Sequence, residues 1–277
     1  MSDVGRKPRY GLYGVKVYLL SFAFLVFLGA AITASGVMTG SLGLRVTGFC
    51  VILYGAISTI GWLLGRYVIP GGPVTFSQGV VVSLGLNGSE TVLDVGTGRG
   101  LYAIEMAKKV TTGRVVAIDL WEPHNAAEKE YHHKWAQPTG NTIGNARLNA
   151  RLEGVEEKVT FLNMDANRLK FPRGTFDLVV CAYVIGHLGD HGKKVLAETN
   201  RVLKPGGRLL IIDNVPDLTF FFMSTPHLFV LSYLRGKKAR RLTRRYWLTL
   251  IAETGYRLNR MRNGKGIILL EATPAAT

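Results

Sequence analysis

The sequence predicts a doubly wound α/β domain on a parallel sheet, closed by a C-terminal antiparallel hairpin and preceded by a two-helix transmembrane hairpin. Three observations carry this. Two long uncharged runs fill the first quarter of the chain. Short apolar runs of strand type then alternate with helical patterns, and two further apolar runs flank an Asn-Gly pair near the end. At 277 residues there is room for one full α/β domain and a modest extra element.

No charged residue lies between Lys16 and Arg45, a stretch of 28, nor between Arg45 and Arg66, a further 20. About 20 apolar residues cross the hydrocarbon core as a helix, so spans are expected at 17–37 and 45–66. The Gly-rich connection Gly36-Val37-Met38-Thr39-Gly40-Ser41-Leu42-Gly43 would fold them into an antiparallel pair. Arg6, Lys7, Arg9 and Lys16 precede the first run and Arg66 follows the second. By the positive-inside tendency both termini and the following domain are expected to be cytoplasmic, in an integral membrane protein. Gly36 with Gly40, and Gly61 with Gly65, could allow close helix contact. Intramolecular packing alone could use them, so oligomeric state stays open. A cleaved signal peptide fits poorly, because the first apolar core is too long and a second follows at once. Buried helices of a soluble domain are the other alternative. Pro70-Gly71-Gly72-Pro73 breaks the chain and separates residues 1–70 from a domain over 74–277.

Lys plus Arg exceed Asp plus Glu by 34 to 19, a formal charge of +15 that suggests an anionic partner, nucleic acid or an anionic membrane face. Cys50 and Cys181 form no disulfide framework and no metal-type spacing.

Val74–Leu86 reads as a leading helix, Thr91–Val95 as a buried strand and Gly100–Val110 as a helix. Val115–Leu120, Val159–Met164, Leu178–Cys181 and Leu209–Asp213 read as further strands, with a helix near Tyr246–Thr254. Tyr256–Met261 and Ile267–Ala272 read as a hairpin turning at Asn263-Gly264. The informative segment is Val92-Leu93-Asp94-Val95-Gly96-Thr97-Gly98-Arg99-Gly100. A buried strand runs into a turn with alternate glycines and then into a helix, whose N-terminal amides can hold a polar ligand. Asp119, at the end of the next strand, can accept from both hydroxyls of a ribose.

These pieces, with Ala117-Ile118-Asp119, Met164-Asp165-Ala166, Phe176-Asp177-Leu178-Val179 and Val202-Leu203-Lys204-Pro205-Gly206-Gly207, resemble the class I S-adenosylmethionine (SAM) dependent methyltransferases. The resemblance is to the branch with the ubiquinone/menaquinone-biosynthesis and small-molecule enzymes, over roughly residues 74–271. It implies a Rossmann-like seven-stranded sheet and SAM as cofactor. Asp94 and the turn of Gly96, Thr97, Gly98 and Gly100 would face the methionine part of SAM. Asp119 would bind the ribose, with Leu120 beside it in the site, and Asp165-Ala166 would contact the adenine edge. Ala182 would line the methionine side. A nicotinamide-binding domain is the rival for such a loop. Asp94 inside the strand, the G-x-G-x-G spacing and the terminal antiparallel strand favour SAM.

After the fourth strand comes Tyr183-Val184-Ile185-Gly186-His187-Leu188, which the resemblance places near the transferred methyl group. His187 is the first candidate for proton acceptor or substrate orienter, followed by His124 and Tyr183; a packing or capping role is the plain alternative for His187. Trp121–Gly140 departs from the family as an insertion, read as a lid or substrate-recognition element or else as an amphipathic surface helix. It carries His124, His132 and His133, but no firm metal spacing, and no metal is expected. A second departure is the apolar Leu218–Tyr233, followed by seven basic residues within 235–245. This pairing suits anionic lipid better than nucleic acid, which is not expected as a partner. A core-packing helix with a solvated basic end is the alternative. The function expected is methyl transfer from SAM to a membrane-associated lipid-like acceptor, a phospholipid headgroup, quinone or other prenyl lipid. Methylation of protein or soluble small molecules, and non-catalytic SAM binding, are the alternatives.

Overall fold

The computed structural model describes residues 7–10, 15–68, 72–122, 140–189, 191–215, 243–264 and 266–275. The chain divides into a helical unit and a sheet unit.

In the helical unit α1 (Val15–Met38) and α2 (Leu42–Val68) form where the uncharged runs predict helices. However, no helix among the described residues is long and apolar enough to cross a membrane. The transmembrane hairpin, the integral-membrane placement and the cytoplasmic assignment built on it therefore fall. Absence of charge is a weaker property than apolarity. The runs are diluted by Thr33, Ser35 and Gly36 in α1, and by Arg45, Thr47, Gly48, Gly55 and Thr59 in α2.

The two helices cross closely through glycines. Of the expected pair Gly36 and Gly40, Gly36 lies against the facing helix, where a methyl group would come within 2.6 Å of the Arg45 amide nitrogen, whereas Gly40 has nothing near it; Gly29 and Gly48 also meet face to face. A methyl group built on Gly48 would lie 2.5 Å from the Gly29 carbonyl oxygen and 2.6 Å from the Thr33 amide nitrogen. Arg45 is turned back along the pair, its Nε donating to the Gly36 carbonyl at 3.2 Å.

The sheet unit opens with α3 (Gly72–Ser83) and continues through β1 (Thr91–Val95), α4 (Leu101–Ala107), β2 (Arg114–Asp119), α5 (Ile143–Leu152) and β3 (Val159–Asn163). Next come β4 (Phe176–Ala182), a short α6 (Ile185–Leu188), α7 (His191–Val202) and β5 (Leu203–Asn214). It closes with α8 (Arg244–Glu253), β6 (Tyr256–Gly264) and β7 (Ile267–Pro274). The seven strands lie in the order β3-β2-β1-β4-β5-β7-β6. The first five are parallel; β7 runs antiparallel to β5 and β6 antiparallel to β7. Apolar side chains on both faces are fully buried, Val92, Val115, Leu178 and Leu210 on one and Leu93, Val179, Leu209 and Ile211 on the other. This two-faced burial explains why the strands read as continuous apolar runs.

The strand order reverses between β1 and β4, which places a ligand crevice at their carboxyl ends. The terminal hairpin forms, but its turn is not at Asn263-Gly264. Gly264 pairs with Ile267, so the turn lies beyond Gly264, and Gly266 has a positive φ of 75°. The register of β7 against β5 overrides the local preference of Asn-Gly. Residues 123–139 and 216–242 lie outside the described residues, and with them His124, most of the insertion, the Leu218–Tyr233 block and most of the 235–245 basic cluster.

Replacing Gly48 with valine is expected to force α1 and α2 apart, an overpacking cost of about 1–3 kcal/mol. Hydrogen exchange should show faster exchange of amides in 25–57 and unchanged protection in β1–β5. Equal protection of the helices in the variant would show that the close crossing does not hold the pair.

Candidate active site

The site is built from the carboxyl ends of β1, β2, β3, β4 and β5. At the end of β1, Asp94 is 1% exposed, and its Oδ2 accepts from the Thr97 hydroxyl at 2.6 Å and the Ala103 amide at 3.0 Å. Ala103 lies in the first turn of α4, whose N-cap is Gly100 and therefore has no side chain to satisfy the free amides. Asp94 does this from the strand instead. Burial pushes its carboxyl up to about 7; the Thr97 and Ala103 hydrogen bonds oppose the rise and the Asp119 charge adds to it.

The glycine turn is held from both sides. Gly96 and Thr97 amides donate to the Ile118 carbonyl at 2.8 and 3.0 Å, and the Gly98 amide donates to Asp119 Oδ2 at 2.7 Å. The other oxygen of Asp119 accepts from the Leu120 amide at 2.7 Å. Gly98, with φ of 59°, faces open space: a methyl group there would find only Asn141 Oδ1, at 3.9 Å. By contrast, one on Gly96 would collide with Val184, so β1 and the segment after β4 approach closely across the crevice.

Trp121 belongs to this construction. It is 4% exposed, stands edge-on to Phe161, and its Nε1 donates to the Gly98 carbonyl at 3.1 Å and Asn141 Oδ1 at 2.9 Å. The sequence placed it in an insertion and gave it no such role. Both described ends of that insertion rest on the cofactor turn, since Gly140 accepts from Arg99 Nε at 3.0 Å.

Beside Asp119, the Met164 amide donates to its carbonyl at 3.1 Å, which brings Asp165 and Ala166 to the same end of the sheet. Asp165 Oδ1 accepts from the backbone and side-chain amides of Asn167, both at 2.8 Å. Asn167 Oδ1 is enclosed without a hydrogen-bond partner, an acceptor available to a ligand.

On the far side Ala182 ends β4, and Tyr183 takes a left-handed φ of 58° with its amide donating to the Ile212 carbonyl at 2.7 Å. Such a conformation in a tyrosine is strained and typical of functional sites. Burial and the Asp213 charge push its phenol up to about 12. His187 is exposed on α6. Asp213 was missed as a site residue: 1% exposed at the end of β5, it accepts from the Gly186 amide through Oδ2 and the Asn214 amide through Oδ1, each at 2.8 Å. Burial raises its carboxyl, while those bonds and His187 oppose the rise. An acid ending an apolar strand beside a crevice was the available signal. The structure thus joins Asp94, Gly96, Thr97, Gly98, Gly100, Asp119 and Leu120 around one turn, with Ala182 and Tyr183 at the end of β4 beside Val184, which faces Gly96.

Residues 93–211 match the family model described as a methyltransferase domain. Over that segment the chain carries a methyltransferase domain. A demethylmenaquinone methyltransferase of Thermus thermophilus is 34% identical over 125 residues, covering 45% of this chain and 47% of that protein. A ubiquinone/menaquinone biosynthesis C-methyltransferase of Desulfotalea psychrophila is 29% identical over 160 residues, covering 56% of each. The chain thus aligns with about half the length of the curated relatives it matches. The crystal structure of magnesium protoporphyrin IX methyltransferase from Synechocystis with bound SAH shares the fold at 17% identity. Its TM-score is 0.52, with 80% of this chain and 87% of that one covered. SAM is the cofactor of such a domain. The residues present fit it: the face of Gly98 is clear, a paired carboxylate stands at the end of β2, and Asn167 offers an unspent acceptor.

The titration of Asp94 gives a test. Its folded pKa of about 7 lies above the ordinary aspartate value of 3.8, so the folded state holds the extra proton between those values. The group's contribution to stability is full below pH 4 and lost as pH rises through 7. Asp94→Asn, which cannot ionise, is therefore expected to gain in Tm relative to wild type as pH rises from about 5 to 8. Parallel Tm curves across that range would exclude a buried, proton-holding Asp94.

Proposed function

We propose that the protein transfers a methyl group from SAM to a lipid-like acceptor of the quinone or prenyl-lipid class. The observation that carries the reading is the strand-order reversal between β1 and β4, with the glycine turn and Asp119 on one side and the strained Tyr183 on the other. Relatives named for demethylmenaquinone and ubiquinone/menaquinone methylation support the acceptor class.

When bound, SAM supplies a methyl group on a positively charged sulfur, a charge that disappears as the methyl leaves. Asp119 and the Gly98 turn orient the ribose and methionine portions, and Asp165, Ala166 and Asn167 address the adenine edge. Leu120 and Ala182 line the same crevice. In its ionised form Asp94 places negative charge beneath the turn, which favours a cationic ligand. Alignment of acceptor and methyl group in a pocket cleared of water supplies much of the rate, so the residues act chiefly by positioning. Where the acceptor is a hydroxyl or an activated carbon, His187 takes the proton at its imidazole, and Asp213 steadies α6 through the Gly186 amide. Tyr183 lines the acceptor side.

Incubation with methyl-labelled SAM and a lipid extract containing demethylated menaquinone is expected to label the organic phase. Asp119→Ala should lose most of that label together with SAM binding. Label confined to protein or to soluble products, with SAM binding intact, would sink the lipid acceptor. SAM binding with no transfer to any acceptor would favour a non-catalytic SAM-binding protein.

His187→Ala is expected to lower kcat by roughly 10²-fold, the usual scale for a general base, with SAM affinity unchanged. An unchanged kcat would reduce His187 to packing.

A further inference from the structure

Asn149 lies in α5, distant in sequence from the cofactor turn, and is 3% exposed. Its Nδ2 donates to the Arg99 carbonyl at 3.0 Å and to the Arg9 carbonyl at 3.1 Å, and its Oδ1 accepts from the Arg9 amide at 2.9 Å. One buried amide therefore joins the cofactor turn to the N-terminal segment. Arg99 repeats the connection, with its guanidinium donating to the same Arg9 carbonyl at 3.1 Å. Tyr10 follows, half-buried against the core, and its hydroxyl donates to Glu153 Oε1 at 3.1 Å. Glu153 is in turn bridged by Lys108 to Glu105 of α4, at 2.8 and 2.7 Å. Residues 9 and 10 are thus fastened to α5, to α4 and to the turn itself.

We propose that Asn149 is a positioning residue for the cofactor site, and that Arg9-Tyr10 is a working part of that site, bracing Gly98-Arg99-Gly100 from outside. The physical case rests on the glycines. Gly98 and Gly100 hold positive φ values of 59° and 86°, in a segment whose backbone loses more freedom on ordering than any other type. A turn already fixed before the ligand arrives leaves more of the contact free energy for binding. Asp119 fixes the turn from the sheet side through the Gly98 amide, and Trp121 and Asn149 fix it from the other through the Gly98 and Arg99 carbonyls. An asparagine that only closed α5 against the chain would stabilise the fold and leave cofactor affinity alone.

The inference rests on SAM being the ligand of this turn, and its test separates the two. SAM dissociation constants, Tm and acceptor KM are measured on the full chain for wild type, Asn149→Leu, Arg9→Pro and the double variant. Arg9→Pro deletes the amide that Asn149 accepts from, in an exposed segment already preceded by Pro8, so it spares the core. Each single change is expected to weaken SAM binding about fivefold, the scale of one or two net hydrogen bonds. Acceptor KM should be unchanged, and the double variant no weaker than the weaker-binding single one, because both break one linkage. Lower Tm with unchanged SAM affinity, or losses that simply add, would overturn the proposal. If Asn149→Leu fails to fold, Arg9→Pro alone decides: weakened binding supports the brace and wild-type affinity sinks it. Failure of wild type to bind SAM would sink the cofactor reading along with the brace.

Discussion

The buried carboxylate of Asp94 is the constraint on which the site depends. It sits at the end of a central strand, binds the Thr97 hydroxyl within the turn, and satisfies the Ala103 amide in the first turn of α4. One side chain therefore sets the angle at which strand, turn and helix meet. An N-terminal helix amide left unpaired in a buried position is costly, and Gly100 at the cap position offers no side chain to meet it. The cost appears instead as an awkward charge. A carboxylate this enclosed keeps its proton near neutrality, so the same group that shapes the turn also makes the site's charge responsive to pH and to a cationic ligand.

From that corner the rest follows by exhaustion of polar groups. The amides of Gly96, Thr97 and Gly98 turn inward to Ile118 and Asp119, while the carbonyls of Gly98 and Arg99 turn outward to Trp121 and Asn149. The inward bonds come from the neighbouring strand of the sheet. The outward ones come from side chains that occupy no motif, yet they restrain the same glycines.

What was legible in the sequence was what local chemistry writes down. Asp94, the alternating glycines and Asp119 could be read together because a strand, a turn and a helix leave their marks within a few residues, and the five parallel strands showed as apolar runs because both faces are buried. Asn149 could not be read, since its partners are 50 and 140 residues away and an asparagine on a helix has no pattern that reveals them. Trp121 was visible only as an odd aromatic in an insertion, and Asp213 only as the end of a strand. Two readings failed for opposite reasons. Counting charges in the N-terminal runs overlooked their glycine, serine and threonine content. The Asn-Gly pair was a genuine local preference that lost to strand register.

The reach of Arg9 to Asn149 has a consequence for how the protein is made. Residues 9 and 10 leave the ribosome well before Asn149, which is encoded 140 positions later. At synthesis rates of about 5–20 residues per second, they wait on the order of ten seconds before α5 exists to receive them. During that interval β1 and the glycine turn emerge while Asn149 is still unmade. The turn's final restraint is therefore a late event of biosynthesis, completed against a segment made long before it.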